Sequence, residues 1–516
     1  VVAAPSPNSE QKNAVSDAAL PSSARAFVWI ATATLTGAIV MAMELTAFRL
    51  YAPYFGNSIY VWGSMISVVM LALAVGYSLG GWIADRKPTD TVLYLIVLGS
   101  GVYQLVIVFL MRAVLLKLFH AGDFAGPALA TVIIFAPPMT ALAMTSPFVI
   151  RLLATAEHVG ITVGGVFALS TAGSIAGVLG TSFYLVPRFG TRVTMEILCG
   201  ASILIGTAGL MMGRKAAILL ALPAAILFLV PVPKPPPTML WSGESAYNRI
   251  LVLESNGLRW LVLNDSRFAQ TYEKVGSANS GRYLDEFALG PVILPAKNLL
   301  VLGMGAGGSI QASRAVAPEI EIDAVEIDPE VVRVAGEFFG LPKNDSKLHV
   351  HIADARPWLA EHAVQSDLVN IDLFQGGPYV PFYLTTVEFF QMVRSRMTDD
   401  GVLMVNVYDE SPNHELLEAM GATMKQVFPT LEKLSRTDGN HIVFAFAKKR
   451  ELAETVARLR QGADSPGPAW VQEVEKRAAG EMVEFEPPAN AVIFTDDRAP
   501  IEEMTRRMLV EAGKLK

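Results

Sequence analysis

Between about residue 27 and residue 232, apolar runs long enough to cross roughly 30 Å of hydrocarbon follow one another. No other feature constrains the fold as much. The runs fall at approximately 27–50, 60–84, 91–111, 126–150, 162–186, 192–212 and 216–232, so about seven membrane spans are expected. Gly, Pro or charged residues separate them, among them Pro53/Gly56, Asp85-Arg86-Lys87-Pro88, Pro187-Arg188 and Arg214-Lys215. Pro137-Pro138 inside the fourth run predicts a kink or two half-spans, because proline lacks the donor a helix interior needs. Only 17% of the 516 residues are charged, below the quarter or so typical of soluble domains.

The net charge of -7 gives no reason to expect nucleic acid as a partner. A single cysteine, Cys199, excludes a disulfide framework and a thiolate metal site, and no metal is expected. Residues 1–25 are polar, small and rich in Pro and Ser, which predicts a disordered tail without the pattern of a signal peptide. The transmembrane helical domain is placed at 26–232. Lys and Arg near the span ends are almost equally divided between the two sides, so the positive-inside rule does not orient it. Gly76/Gly80/Gly81 and Gly164/Gly165/Gly173/Gly177/Gly180 predict close helix packing. Glu44 lies well inside the first span, where an ionised side chain is costly unless paired. It is either a site for a cation or amine reached from the membrane, or a residue that snorkels or pairs with one such as Arg49. Glu196 poses the same question.

A proline-rich linker at 233–239 leads into a small β subdomain at 240–296. From 297 to 450 strands and helices alternate at the spacing of a doubly wound, mainly parallel sheet. A C-terminal helical extension is expected at 451–516. Three strand ends carry a nucleotide site in order. The first runs into Gly303-Met304-Gly305-Ala306-Gly307-Gly308, where Gly303, Gly305 and Gly307 allow a tight turn and close approach of a ligand. The second ends at Glu326, about twenty residues on, placed to accept from both ribose hydroxyls. The third ends at Asp354, suited to the adenine amino group. A fourth strand ends at Asp372, which can take up a proton from, or orient, an amine attacking the carbon beside a sulfonium. The loop after it, with Tyr379, Phe382 and Tyr383, is expected to wall a substrate pocket.

These residues resemble the spermidine synthases, also called aminopropyltransferases. Glu244-Ser245-Ala246-Tyr247-Asn248-Arg249-Ile250 resembles the family's E-S-x-Y-Q-x-I entry, and the ordered glycine loop, Glu326, Asp354 and Asp372 match its nucleotide and catalytic positions. The likeness covers about 240–450. In the membrane half, Glu44, Arg49, Pro53–Ser58, Trp62 and Ala84-Asp85-Arg86 resemble bacterial proteins that fuse a seven- or eight-span region to such a domain, and Thr495–Pro500 (TDDRAP) recurs in that fused group. The resemblance implies a multi-span α-helical membrane bundle followed by an α/β Rossmann-like class I S-adenosylmethionine-binding domain. It implies Asp372 and Tyr283 as catalytic residues. Asn248, Gln270, Gly303, Gly305, Gly307, Glu326 and Asp354 would hold the co-substrate, decarboxylated S-adenosylmethionine or S-adenosylmethionine. Asp285, Gln375, Tyr379, Tyr383 and Glu44 would face the acceptor. The expected partners are a small amine or lipid-like substrate and the lipid bilayer. A homodimer, a bacterial inner-membrane location and a cytoplasmic catalytic half are further implications.

Three departures from the family pattern matter. Ala306 and Gln375 stand where acids usually hold cationic amines, and the tyrosine–histidine–glutamate element reads Tyr283-Leu284-Asp285. Each lost carboxylate removes attraction for an ammonium group and also repulsion against a donor that keeps its own carboxylate. Aminopropyl transfer is therefore the first expectation. Methyl or aminocarboxypropyl transfer from intact S-adenosylmethionine, onto a lipid or hydrophobic molecule, is the second. A transporter or sensor with a nucleotide-binding domain is the third.

Overall fold

A computed structural model describes residues 23–55, 59–118, 124–154, 158–212, 236–264 and 268–514. The N-terminal half contains α1 (Ser23–Phe55), α2 (Ile59–Arg86), α3 (Asp90–Leu118), α4 (Ala125–Ile134), α5 (Ala136–Ala143), α6 (Thr145–Leu153), α7 (Val159–Gly180) and α8 (Val186–Met211). Among the described residues, four helices are long and apolar enough to cross a membrane, or five if the bent pair Ala125–Ile134 and Ala136–Leu153 is one span. Among the described residues, then, the helices do not resolve into the seven expected spans. The run at 216–232 and most of the proline linker lie outside the described residues. The fifth and sixth expected runs form one continuous helical stretch of 53 residues, Val159–Met211. At 1.5 Å per residue such a stretch is roughly 80 Å long, enough to cross the hydrocarbon twice. It is interrupted by a five-residue π turn, Thr181–Leu185, and kinked at Gly190, whose φ of 77° suits glycine alone.

The break in the fourth run falls where proline predicts it, with a bend of 52°. The Pro138 carbonyl accepts from Ser100 Oγ at 3.0 Å, and Thr140 Oγ1 returns a bond to the Ala72 carbonyl at 3.1 Å. Two of the small-residue rows pack as expected. A Cβ on Gly173 would lie 2.0 Å from the Thr34 carbonyl oxygen of α1, and one on Gly76 would lie 2.5 Å from that of Thr140. At Gly81, Gly164 and Gly165 nothing lies within 4 Å.

The C-terminal half begins with an antiparallel sheet of β1 (Met239–Glu244), β2 (Arg249–Ser255), β3 (Leu258–Leu263) and β4 (Thr271–Lys274), in that order. A 3-10 turn at Tyr283–Ala288 and α9 (Leu289–Ile293) follow. The main sheet then alternates β5 (Asn298–Leu302), α10 (Gly308–Val316), β6 (Glu321–Glu326), α11 (Pro329–Phe338), β7 (Leu348–Ile352), α12 (Ala355–Glu361), β8 (Ser366–Ile371), α13 (Val387–Arg394), β9 (Met397–Tyr408), α14 (Glu415–Lys425), β10 (Thr430–Ser435) and β11 (Asn440–Phe446). Helices α15 (Leu452–Ala463) and α16 (Ala469–Glu481), strand β12 (Val483–Glu484) and α17 (Ile501–Glu511) complete it. The strand order is β12-β10-β11-β9-β8-β5-β6-β7. Strands β5 to β9 run parallel, while β10, β11 and β12 pair antiparallel, so the sheet is mixed. The chain leaves β5 for β6 on one side and reaches β8 on the other, which opens a crevice at the carboxyl ends of β5 and β8.

Among the described residues, hydrogen bonds at three places help to join the halves. Glu244 at the end of β1 accepts from Thr191 N at 2.9 Å and Thr191 Oγ1 at 2.5 Å, just after the Gly190 kink. Arg49 donates to the Ser245 carbonyl at 2.7 Å and to that of Ala246. Glu502 of α17 accepts from the Ile59 amide at the start of α2, at 2.8 Å.

Candidate active site

The crevice holds a cavity of about 650 Å³, and the glycine loop forms its floor. Gly303, Gly305 and Gly307 all have positive φ. Gly303 also lies so close to β8 that a Cβ would stand 2.5 Å from the Asp372 carbonyl oxygen. Glu326 closes β6 and bridges the turns, accepting from Gly305 N and Asp328 N at 3.1 Å each. Burial pushes its carboxyl up to about 7, against the pull of those backbone donors. Asp354 caps α12 through Arg356 N at 3.0 Å and accepts from Tyr383 OH at 2.8 Å. That bond and burial hold the Tyr383 phenol protonated far above its ordinary range.

Asp372 follows β8 and is gripped at both oxygens. Tyr283 OH donates to Oδ2 at 2.9 Å and Asn406 Nδ2 donates to Oδ1 at 3.0 Å. Burial raises this carboxyl to about 7, while the two donors favour its charged form. Tyr283 is raised well above its usual value by burial and by the Asp372 charge. An acid at this place, neutral and charged in comparable amounts near neutrality, is suited to accept one proton from a substrate.

The structure brings Asn248, Gln270, Gly303, Gly305, Glu326, Asp354, Asp372, Gln375 and Tyr383 to one cavity. Asn248 acts partly through a neighbour. With Ser245 it donates to the Asp328 carboxylate at 2.9 and 2.6 Å, and so ties the β subdomain to the turn after Glu326. Gln270 donates to the Gly377 carbonyl at 3.3 Å.

Three of the residues expected to face the acceptor do not line this cavity. Asp285 lines neither this cavity nor its neighbour, because its carboxylate caps the preceding loop, taking Ser280 N, Ser280 Oγ and Gly281 N at 2.6–2.8 Å. Tyr379 is buried against Met508 and Leu509 of α17. Glu44 does not line the cavity, although Leu45, Phe48 and Arg49 on the same helix do. Glu196 pairs with Arg192 at 3.1 Å, one turn away. The TDDRAP segment supports the site from outside: Asp496 takes Arg356 at 2.8 and 2.5 Å and Thr386 Oγ1 at 2.7 Å, fixing the start of α12.

Asn406 was legible as the one amide inside the apolar run GVLMVNVY, since a polar side chain on a buried strand needs a partner. Thr271, whose Oγ1 accepts from Ala306 N at 3.1 Å, carried no such signal. A second cavity of about 250 Å³ lies beyond Tyr283 and Gln270. There Lys514 donates to Tyr408 OH at 2.6 Å and Glu410 at 2.7 Å, with its ammonium 5.4 Å from the ring centroids of Phe268 and Tyr408. Among the described residues no cluster of His, Cys, Asp or Glu is arranged to hold a metal ion.

Residues 291–450 match the family model of the spermine/spermidine synthase domain. The chain is 27% identical over 283 residues to the "Probable polyamine aminopropyl transferase" of Bifidobacterium longum, covering 51% of this chain and 61% of that protein. It is 24% identical over 275 residues to the polyamine aminopropyltransferase of Vibrio vulnificus, covering 51% and 90%. It is 31% identical over 191 residues to the human eEF1A lysine and N-terminal methyltransferase, covering 33% and 27%. The match thus spans about three fifths of the first of these relatives and about a quarter of the third.

Proposed function

We propose that this chain, whose C-terminal half carries a spermine/spermidine synthase domain, is a membrane-anchored aminopropyltransferase. The observation that carries the reading is Asp372, gripped by Tyr283 and Asn406, in one cavity with Glu326, Asp354 and the glycine loop. Glu326 would accept from the ribose hydroxyls, Asp354 would meet the adenine amino group, and Gly303 and Gly305 leave room for the backbone to approach. Decarboxylated S-adenosylmethionine supplies a carbon made electrophilic by its sulfonium: attack by a neutral amine forms the C–N bond, breaks the C–S bond and leaves methylthioadenosine. Asp372 takes the proton the amine gives up, and holding that amine in line contributes most of the acceleration. The four long apolar helices support anchoring, and a cytosolic co-substrate calls for a cytoplasmic catalytic half.

Ala306, Gln375 and the likeness to a methyltransferase favour a second reading, transfer from intact S-adenosylmethionine. The released nucleoside separates the two. Purified full-length protein in detergent is given each donor with a panel of amines, and products are read by mass spectrometry. Methylthioadenosine from the decarboxylated donor is expected. Release of S-adenosylhomocysteine from the intact donor, with the decarboxylated donor untouched, would replace the first reading by the second.

A further inference from the structure

The cavity does not end at the nucleotide residues. It continues between the two halves, where α1 contributes Leu45, Phe48 and Ala52, α2 contributes Trp62, and the π turn contributes Phe183. From this wall and its position we infer that the acceptor is a primary amine carried on a long apolar chain, admitted from the membrane side; this rests on the aminopropyltransferase reading.

Four observations converge. The first is the wall itself. Phe48 and Trp62 pack with ring centroids 3.8 Å apart, and Phe183 is 79% exposed on a turn that already departs from α-helical geometry. π turns are frequent at functional sites. The second is charge. The membrane half's ionisable contribution to the cavity is Arg49, a cation, which repels a second ammonium. Glu244 also lines the cavity, bonded to Thr191 N and Oγ1, and its charge is offset by Arg49 and Arg249, so these three residues offer a second ammonium no net negative charge. The third is the missing acids. Ala306 and Gln375 put no carboxylate at the two positions where the family's acids hold cationic amines, and Asp285 faces its own loop. The fourth is the other exit. The acidic and aromatic end of the second cavity, where Glu410 and Tyr408 are suited to an ammonium, holds Lys514. A soluble diamine would have to displace it, whereas an apolar chain running toward Phe183 leaves Lys514 in place. The amine head then stands beside Asp372 and the tail in the lobe at the helix ends.

The test uses the full chain in nanodiscs with decarboxylated S-adenosylmethionine. One set contains phosphatidylethanolamine and phosphatidylglycerol, a second phosphatidylcholine alone, a third phosphatidylcholine with dodecylamine and a fourth phosphatidylcholine with putrescine in solution. Methylthioadenosine and the mass of each amine are measured. Product in the first set, with the lipid heavier by one aminopropyl unit, supports the inference with a lipid headgroup as source. Product in the third set alone supports it with a free long-chain amine. Turnover of putrescine alone overturns the inference and leaves the aminopropyltransferase reading standing. Absence of methylthioadenosine in every set overturns both. Ser182→Trp, which fills the lobe away from the nucleotide residues, should raise KM for the long-chain amine about tenfold or more, as expected for loss of uniform binding. Calorimetric affinity for the donor should stay unchanged, which reports that the variant is folded. An unchanged KM in Ser182→Trp and in Phe183→Ala would count against the lobe.

Discussion

Asp372 shows how one residue's environment sets a working pH. Its carboxyl must be ionised to accept a proton, and its pKa is pushed up to about 7. Turnover should therefore fall as pH drops below about 7, with the ascending limb of kcat/KM reporting this group. For stability the sign is opposite: an acid raised on folding favours the native state fully below its ordinary range, and that contribution is lost as pH rises through about 7. Asp372→Asn should cost roughly 10²–10⁴ in kcat with donor affinity retained by calorimetry. Tyr283→Phe deletes a donor that favours the charged carboxylate, so the limb should move to higher pH. A limb that stays in place would mean the phenol does not tune the acid. Asp372, Glu326 and Asp354 could be read from the sequence because each ends a strand at a fixed distance after the glycine loop. That Asp285 and Tyr379 lie outside the cavity was not legible, because residue type says nothing about which way a loop turns. An acid two residues after Tyr283 could meet an amine in one geometry and caps its own backbone in this one.

At the scale of elements, hydropathy located the spans well and their joints poorly. Runs one to three coincide with α1, α2 and α3, since long apolar stretches bounded by charge have few alternatives. The boundary expected at Pro187-Arg188 does not end the helix: proline is tolerated in the first turn, and α8 starts at Val186. The turn is made at Gly190 instead. Strands β1, β4, β10 and β12 escaped notice because they lie at or next to the antiparallel edges of their sheets and lack the continuous apolar run of β5 or β8. Gly173 fits α7 against α1, and Gly173→Ala places a methyl 2.0 Å from the Thr34 carbonyl oxygen. The helices must separate, with a cost of about 1–3 kcal/mol for overpacking. Gly165→Ala, with nothing within 4 Å, serves as the control. Thermal melting in detergent should lower the transition for Gly173→Ala and leave Gly165→Ala near the parent.

For the whole molecule the question is whether the apolar helical half is joined to the other by more than the chain. The Glu244–Thr191 bonds and the Arg49 bonds make a specific seam. In a double-mutant cycle, Thr191→Val and Glu244→Gln should show a coupling of about 0.5–3 kcal/mol, read from denaturation of the full chain. Additive effects would mean that the Glu244–Thr191 pair contributes nothing to the seam, leaving it to Arg49 and Glu502. That seam was beyond sequence reasoning, which read Glu244–Asn248 solely as a nucleotide-domain signature. Residues 244 to 246 hold the helix ends, while Ser245 and Asn248 hold Asp328 behind the ribose acid. One short stretch thus answers to two sets of neighbours, and its positions are not free to drift alone. Across homologous chains, substitutions at 244 should covary with 191 and those at 248 with 328, so that the history of the apolar helices is written partly in the C-terminal domain.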